Sequence, residues 1–496
     1  MINLFSKICS RLVAAKDKIH RRKSIIFKAK KMPIRIKELC RTFKTTYRLS
    51  NLTGEEIITT IFSDDNDKVH KGSLFVPYYA TDNECSENIK KGASAILTDH
   101  TIGTLPCIVS DSPETTLYDI NEWLFESIKL PSVIIAGSEG KTTTKRMIRA
   151  VLCSEKKVFS QAGNYNTFQA LTSSLQLVAN DTDIIVQEAD EKRPKGIEKC
   201  SKILKPDIAV ITNIKEAHQQ FYKDRDSLID SFKGITAGMP NDGVVIINGD
   251  DPDSIKTFFG RKTIMAAIYN KNADCIAENI TESADGMDFD VKFNGETSHI
   301  RLSVIGEHNV YNAMMAYIVG RFKGISLKNI QKSLAKYRNS GVRQNICRLG
   351  NILVYADCYN ASQTTMRYAI KCFDSIKWKG KKAAILGDIG EIEGCEQSTY
   401  KAIAEYVQNS EIKAVITYGK DSVLVLSSIY ANIQKKHCSD LKELSETIDS
   451  LKKDGFTSFL FKASHFVHLE NGIKKSFPKH YSKIAFEEKL QNLLLD

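Results

Sequence analysis

Residues 137–144, with the sequence GSEGKTTT, bring two glycines, a lysine and several hydroxyl side chains together in one short stretch. Glycines let backbone N–H groups close around phosphate oxygens, and a helix that begins at Lys141 would point its positive end at them. In such a loop Lys141 neutralises the terminal phosphates, and the Thr142 hydroxyl can ligate Mg²⁺. The stretch therefore predicts a site for a nucleotide and Mg²⁺.

The residues on either side favour that interpretation over an ordinary strand–turn–helix corner. Residues 133–136 are apolar and predict a buried strand before the loop. Apolar residues at helical spacing follow it, namely Met147, Ile148, Val151 and Leu152. The common eight-residue phosphate-loop pattern has a glycine where this chain has Ile135, so we expect a shortened variant.

Further apolar runs follow the loop at residues 183–187, 207–212 and 243–248. Runs of this kind indicate strands that are covered on both faces, and hence a parallel sheet. Ligands of such sheets bind at the carboxyl ends of the strands. The polar residues that follow these runs are Glu188, Asn213, His218, Asn248 and Asp250. We expect them to converge on the loop as an ATP and metal site.

The length of 496 residues suggests about three domains. Strands and helices alternate along the chain, which predicts an α/β fold. We divide the chain into a basic N-terminal extension (1–48), an N-terminal domain (49–130), a central nucleotide-binding domain (131–338) and a C-terminal α/β domain (339–496). In the N-terminal domain, residues 51–61 are predicted to be helical.

The net charge of +11 is concentrated at one end of the chain. Residues 1–48 contain 15 Lys and Arg against Asp17 and Glu38, which is +13 and leaves the remainder at −2. Such an arm suits nucleic acid or an anionic membrane surface, and equally a poorly ordered extension. Because the rest of the chain is not basic, we expect no specific nucleic-acid partner, and peripheral contact through the arm stays open.

No segment reaches the apolar length that crosses a bilayer, and the first residues lack the pattern of a signal peptide. The 12 cysteines are scattered without a C-x-x-C pair, which is typical of reduced thiols and not of a zinc site or a disulfide framework. These features predict a cytoplasmic protein.

Nine motifs follow one another in an order typical of one family. They are GSEGKTTT (137–144), GNYN (163–166), EADEKRPKGI (188–197), ITNIKEAH (211–218), NGDDP (248–252), GEHNVYNAMMA (306–316), GVR (341–343), DCYNAS (357–362) and LGDIGEIEG (386–394). This set resembles the Mur ligase family, cytoplasmic ATP-dependent enzymes that extend the peptide of the peptidoglycan precursor. DCYNAS, LGDIGEIEG and FKASH (461–465) resemble signatures of the branch that adds D-alanyl-D-alanine to UDP-N-acetylmuramoyl-tripeptide.

The resemblance implies three domains: an N-terminal domain for the UDP end, a central P-loop ATPase domain and a Rossmann-like C-terminal domain. The catalytic residues that it implies are Lys141, Glu188, His218 and Lys233, and the metal ligands are Thr142, Glu188, His218 and Lys233. Nucleotide contacts fall on Gly137, Ser138, Glu139, Gly140, Lys141, Thr142, Thr143, Asn309, Asn312, Arg343 and Asp357. Substrate contacts fall on Asn164, Asn166, Tyr359 and Asn360.

Two of these roles also have a physical argument from the residues. Asn309 and Asn312 lie three apart on a predicted helix and would share one face, from which they could reach adenine or ribose. Lys233 resembles the family's carbamoylated lysine, a Mg²⁺ ligand. A partly buried amine can lose its proton and react with CO₂, whereas an exposed lysine stays solvated and charged.

The implied reaction is ATP-dependent, ADP-forming synthesis of an amide bond through an acyl phosphate, with UDP-muramoyl peptide and D-alanyl-D-alanine as substrates and a monomeric enzyme. The segments at the UDP end differ from the family, with Asp65-Asn66-Asp67 where D-S-R is expected and Asp82-Asn83-Glu84 where D-G-H is expected. Loss of the arginine removes a cationic partner for a diphosphate. A ligase for another carboxylate and amine, and a non-catalytic nucleotide-binding regulator, therefore stay open as alternatives.

Overall fold

The structure, a computed structural model, describes residues 32–63, 67–78, 80–161, 166–190, 195–215, 222–257, 259–283, 285–339, 341–390, 392 and 394–495. Within these ranges the strands form three main sheets with packed helices, which confirms the predicted α/β architecture. No helix in the described ranges is both long enough and apolar enough to cross a bilayer. The predicted site residues Asn164 and His218, and residues 1–31 of the basic extension, lie outside them.

The N-terminal lobe contains a five-stranded sheet in the order β2-β7-β6-β5-β4 and a small antiparallel pair, β1 with β3. Its strands are β1 (Ile34–Arg35), β2 (Tyr47–Ser50), β3 (Ile57–Ile58), β4 (Thr60–Ser63), β5 (Ser73–Val76), β6 (Ala95–Thr98) and β7 (Cys107–Ser110). Its helices are Ile36–Cys40, Asp82–Lys90 and Pro113–Ile128.

Two predictions for this lobe differ from the structure. The extension predicted for residues 1–48 ends earlier, because residues 32–48 fold into the lobe and bury Ile36, Leu39 and Cys40. The boundary at residue 48 was predicted from the density of basic residues, which takes no account of these apolar positions. The helix predicted for residues 51–61 is wrong, since β3 and β4 occupy its second half. That half is a run of β-branched residues (IITTI), which fit a pleated strand better than a helix.

The central lobe contains a nine-stranded sheet in the order β16-β15-β14-β13-β12-β11-β8-β10-β9. Its strands are β8 (Ser132–Ala136), β9 (Val158–Ser160), β10 (Ile184–Glu188), β11 (Ile208–Ile211), β12 (Val244–Asn248), β13 (Lys262–Ala267), β14 (Cys275–Ser283), β15 (Gly286–Phe293) and β16 (Glu296–Leu302). Its helices are Lys141–Leu152, Phe168–Leu175, Gly196–Leu204, Arg225–Lys233, Pro252–Lys256, Glu307–Phe322 and Leu327–Lys336, with a 3₁₀ turn at Gly234–Thr236.

Strands β8 to β14 pair in parallel, and β15 and β16 add an antiparallel edge. Strand β8 lies between β10 and β11, so later strands extend the sheet on both sides of it. The carboxyl end of such a strand is the usual ligand-binding crevice of an open α/β sheet. The predicted phosphate loop leaves the sheet at this position.

The C-terminal lobe contains a six-stranded sheet in the order β17-β18-β22-β19-β20-β21, parallel except for β17. Its strands are β17 (Asn345–Leu349), β18 (Ile352–Asp357), β19 (Lys381–Gly387), β20 (Ile412–Tyr418), β21 (Gln434–Cys438) and β22 (Phe456–Lys462). Its helices are Gln363–Ser375, Glu396–Gln408, Leu424–Ser427, Leu441–Lys453, Glu470–Ser476 and Pro478–Leu495, with a 3₁₀ turn at His465–Val467.

One buried side chain joins the N-terminal and central lobes. Gln176, which caps the helix Phe168–Leu175, accepts from the N–H of Ile61 at 2.8 Å and donates to the carbonyl of Ile61 at 2.9 Å. The amide therefore satisfies both backbone groups of a residue in β4, a strand at the edge of its sheet.

We expect Gln176→Ala to lower the free energy of unfolding by about 2–6 kcal/mol, because it leaves two buried backbone groups without this partner and each costs about 1–3 kcal/mol. Urea unfolding followed by circular dichroism measures the change. The neighbouring variant Leu177→Ala is the control, since Leu177 is 56% exposed and its truncation should change stability by less than about 0.5 kcal/mol. Equal stabilities of the two variants would contradict this role of the amide.

Candidate active site

The phosphate loop is held in place by the residues that follow the neighbouring strand β11. The N–H of Ser138 donates to the carbonyl of Asn213 at 3.0 Å, and the N–H of Glu139 donates to the side-chain oxygen of Asn213 at 3.1 Å. Gly137 has φ +140°, and a Cβ there would lie 1.9 Å from the hydroxyl oxygen of Thr212. The loop thus requires glycine at this position, and its backbone is held by hydrogen bonds to Asn213.

Glu188 ends β10 beside the first turn of the helix that follows the loop. It is only 1% exposed, which excludes a surface carboxylate. The Thr142 hydroxyl donates to Glu188 Oε2 at 3.2 Å, so two of the predicted Mg²⁺ ligands are in contact. Both offer oxygen atoms, the ligands that Mg²⁺ prefers, and these residues therefore fit that ion.

Lys145 forms an ion pair with Glu188 and was not predicted from the sequence. Its Nζ lies 2.9 Å from Glu188 Oε1 and donates to the carbonyl of Gln161 at 3.0 Å. Burial lowers the pKa of Lys145, and the adjacent carboxylate partly offsets that effect. Lys145 lies one helical turn after Lys141, and this spacing was the signal that could have identified it.

Lys141 folds back over its own loop. Its Nζ donates to the carbonyl of Gly137, lies 3.4 Å from the carbonyl oxygen of Ser138, and is 3.8 Å from a carboxylate oxygen of Asp190. These backbone carbonyls line the position where a bound phosphate would compete for the ammonium group. Thr143, in the same helical turn, is half-buried.

Asn309 and Asn312 share one face of the helix Glu307–Phe322, as predicted, and both are buried. Asn312 donates to the side-chain oxygen of Asn309 at 3.2 Å and accepts from the Thr144 hydroxyl at 2.9 Å. A Cβ at Gly140 would lie 3.0 Å from Asn312 Oδ1. Asn312 therefore packs against the end of the phosphate loop and the first turn of the helix that follows it. Contact of Asn309 and Asn312 with adenine or ribose stays a prediction.

The C-terminal lobe lies against the phosphate loop. The Ser362 hydroxyl, which also caps the helix Gln363–Ser375, donates to Glu139 Oε1. Burial raises the pKa of Glu139, while the ammonium groups of Lys462, Lys141 and Lys215 oppose that rise. A residue of the loop is thus bonded directly to the opposite lobe.

Arg343 lies in the same cleft. Its guanidinium carbon is 3.3 Å from the ring centroid of Tyr359, a cation–π contact. Burial lowers the pKa of Arg343, and the charges of Arg146 and Glu188 act on it across the lobe boundary. The structure therefore brings predicted residues of the C-terminal lobe close to the predicted metal ligand of the central lobe.

Asp357 and Asn360 are joined by one buried lysine. Lys462 Nζ lies 2.9 Å from Asp357 Oδ2 and donates to the carbonyl of Asn360 at 2.5 Å. Asp357 also accepts from the N–H of Gln344 at 3.2 Å. Lys462 thereby holds the DCYNAS segment to the carboxyl end of β22.

Lys233 differs from the expectation. It ends the helix Arg225–Lys233 with 48% of its side chain exposed, and it pairs with Asp230 at 2.5 Å. The partial burial that the carbamoylation argument assumed is therefore absent here. Ile235, two residues further along the chain, is fully buried.

The remaining predicted residues lie at the edges of the site. The carbonyl of Asn166 accepts from the N–H of Asp190 at 3.0 Å, next to the phosphate loop. In the N-terminal lobe, Thr81 and Glu84 form a capping box at the start of the helix Asp82–Lys90, and Asp82 bonds to a ring nitrogen of His100 at 3.2 Å. The carboxylates of this altered segment therefore have structural partners.

A shortened phosphate loop at the carboxyl end of a parallel sheet, closed by a second α/β lobe, defines a nucleotide-using enzyme with its site between lobes. Residues 135–320 match the profile of the Mur ligase middle domain, and residues 343–465 match the Mur ligase, glutamate ligase domain. Together the two profiles span more than half of the chain. The chain belongs to the Mur ligase family.

Individual relatives agree with this assignment. The chain is 28% identical over 451 residues to the UDP-N-acetylmuramoyl-tripeptide--D-alanyl-D-alanine ligase of Bacillus subtilis, covering 88% of this chain and 97% of the relative. Its fold is similar to that of MurF from Acinetobacter baumannii, with a TM-score of 0.78, 22% identity, and coverage of 90% and 98% of the two chains. MurF from Thermotoga maritima, solved with ADP, has a TM-score of 0.73, 22% identity, and coverage of 86% and 98%.

The buried pair of Lys145 and Glu188 leads to a stability prediction. We expect Glu188→Gln to lower the free energy of unfolding by about 3 kcal/mol or more, because it leaves the buried ammonium without its anionic partner. The double variant Glu188→Gln/Lys145→Met should be more stable than Glu188→Gln alone. Urea unfolding of the single and double variants measures both effects.

Asp181→Asn provides the matched control for that experiment. This variant breaks the ion pair between Asp181 and Lys157, whose side chains are 66% and 67% exposed respectively. It should change the free energy of unfolding by less than about 1 kcal/mol. If the double variant were less stable than Glu188→Gln, the pair would not be the source of the loss.

Proposed function

We propose that this chain is an ATP-dependent, ADP-forming ligase that adds D-alanyl-D-alanine to UDP-N-acetylmuramoyl-tripeptide. The observation that carries the proposal is the contact between Thr142 and Glu188 beside Lys141, in a cleft that Arg343 and Ser362 line from the opposite lobe. The name of the Bacillus subtilis relative and the ADP in the Thermotoga maritima structure support the substrates.

The reaction has two steps. A carboxylate oxygen of the tripeptide attacks the γ-phosphorus of ATP, which forms an acyl phosphate and releases ADP. The amino group of the dipeptide then attacks the acyl carbon, the C–O bond to phosphate breaks, the nitrogen loses a proton, and amide and inorganic phosphate result. Both steps need charge neutralisation and positioning more than a covalent contribution from the protein.

The residues of the cleft have defined parts in this proposal. Lys141 leaves its loop carbonyls and neutralises the terminal phosphates, while the positive end of the helix that begins at Lys141 faces them. Thr142 and Glu188 would hold Mg²⁺, which supplies positive charge to the phosphate oxygens. Arg343 adds a cation from the C-terminal lobe, and the docked lobe keeps water from the acyl phosphate.

The positions of Tyr359 and Asn360 support a role on the side of the incoming amine. Both belong to the segment that Lys462 holds against the carboxyl end of β22, and Tyr359 carries the guanidinium of Arg343 on its ring. The dipeptide would then enter beside the C-terminal lobe, and the nucleotide-linked acceptor would approach from Asn166 and the N-terminal lobe.

The test is a phosphate-release assay on the full chain with ATP, Mg²⁺, bicarbonate, UDP-N-acetylmuramoyl-tripeptide and D-alanyl-D-alanine. We expect release only when both substrates are present, with the joined peptide identified by mass spectrometry. Lys141→Met should lower the rate by about 100-fold or more, since it removes the cation at the developing phosphate charge. Lys157→Met, at an exposed lysine outside the cleft, is the control and should match the unaltered protein.

The outcomes separate the competing functions. Turnover with another carboxylate or amine, and none with the UDP-tripeptide, would replace the proposed substrates but keep the ligase. Tight ATP binding without phosphate release for any of these pairs would contradict an enzyme and favour a nucleotide-binding regulator.

A further inference from the structure

Two histidines and a glutamate form a cluster on the C-terminal lobe, immediately after β22. They are His465, His468 and Glu470, and one ligand atom from each can be chosen so that all three lie within 4.8 Å of one another. The first two residues are exposed and Glu470 is half-buried. None of them has a part in the reaction proposed above.

The geometry inside the cluster suits a metal ion. Two ligands of a tetrahedral ion, each at about 2.1 Å from it, are roughly 3.4 Å apart. His468 Nδ1 lies 3.3 Å from Glu470 Oε1, which is close to that separation. The other carboxylate oxygen, Glu470 Oε2, is buried and has no hydrogen-bond partner within the described part of the chain. The hydrogen bond between His468 Nδ1 and Glu470 Oε1 is the contact that a bound ion would replace.

Two other histidines in the described part of the chain, His100 and His299, also lie beside carboxylates but lack this convergence. His100 bonds to Asp99 through Nδ1 at 2.6 Å and to Asp82 through Nε2 at 3.2 Å. His299 likewise contacts Asp290 and Asp288 through different ring nitrogens. Because the two nitrogens of an imidazole point in different directions, one ion cannot replace both contacts. In the cluster after β22, by contrast, one ligand atom from each of the three residues lies within 4.8 Å of the other two.

We propose that His465, His468 and Glu470 bind a divalent transition-metal ion of the zinc class. Two imidazoles and a carboxylate are a ligand set that such ions prefer, whereas Mg²⁺ prefers oxygen ligands. Three protein ligands leave a fourth position for water or another small ligand. This site is separate from the Mg²⁺ position at Thr142 and Glu188, which offers oxygen atoms alone.

The ion would act on one residue of the cleft. The ring of His465 stacks on Tyr359, with ring centroids 5.1 Å apart and an interplanar angle of 20°. A ring nitrogen binds a metal in the plane of the imidazole, so stacking and ligation are compatible. An ion that fixes His465 therefore also restrains Tyr359 and the segment that contains it.

Titration calorimetry of the full chain with Zn²⁺, in a buffer that contains excess Mg²⁺, tests the site. We expect one Zn²⁺ to bind with an affinity that His468→Ala and Glu470→Gln each lower by about tenfold or more, since each removes a ligand. His299→Asn is the matched control at an exposed histidine beside carboxylates, and it should bind Zn²⁺ as the unaltered protein does. Circular dichroism checks that every variant is folded.

Hydrogen exchange measured by mass spectrometry tests the effect on the cleft. Zn²⁺ should slow exchange in residues 357–362 of the unaltered protein and leave it unchanged in His468→Ala. Equal Zn²⁺ affinity in His468→Ala, Glu470→Gln and the unaltered protein would overturn the site. Binding that these variants lose, without slower exchange in residues 357–362, would overturn the restraint on Tyr359 and leave the metal site standing.

Discussion

The burial of Glu188 is the constraint on which the arrangement of the central lobe depends. An isolated carboxylate is expensive to remove from water, so a buried one needs a cation and hydrogen-bond donors. Lys145 supplies the cation and Thr142 the donor, and both come from the helix that follows the phosphate loop. An ionic contact therefore joins this helix to the end of β10 at the position where phosphate and metal would bind.

Further polar contacts connect the helix that follows the phosphate loop to the C-terminal lobe. Asn312 accepts a hydrogen bond from the hydroxyl of Thr144, which lies in the helix Lys141–Leu152. The side-chain nitrogen of Asn309 lies 3.4 Å from the side-chain oxygen of Gln344 in the C-terminal lobe. His308, on the same helix as the asparagines, stacks on Tyr368 of that lobe. Burial lowers the pKa of His308, and its hydrogen bond with Gln344 of the C-terminal lobe, at 2.9 Å, opposes that shift. A single helix thus supports the loop and docks the lobe that covers it.

The two lobes offer different chemistry to the cleft. The central lobe provides oxygen ligands and the ammonium of Lys141, which suit phosphate and Mg²⁺. The C-terminal lobe provides Arg343, the aromatic ring of Tyr359 and the bonded pair of Lys462 and Asp357. Docking of the lobes brings these charges together in one cleft, where partly buried charges interact more strongly than they would on an exposed surface.

The sequence by itself determined the fold class, the phosphate loop and the strand ends that carry Glu188 and Asn213, because apolar runs, glycine spacing and helical periodicity are local properties of a chain. The same local information misassigned residues 32–48 and 51–61, where charge density and a weak pattern hid buried positions. Only the tertiary structure decided that Lys145 pairs with Glu188, that Lys233 is exposed beside Asp230, and that Ser362 meets Glu139. Pairing and burial depend on which segments pack together, and residues far apart in the chain meet only when the sheets and lobes have assembled.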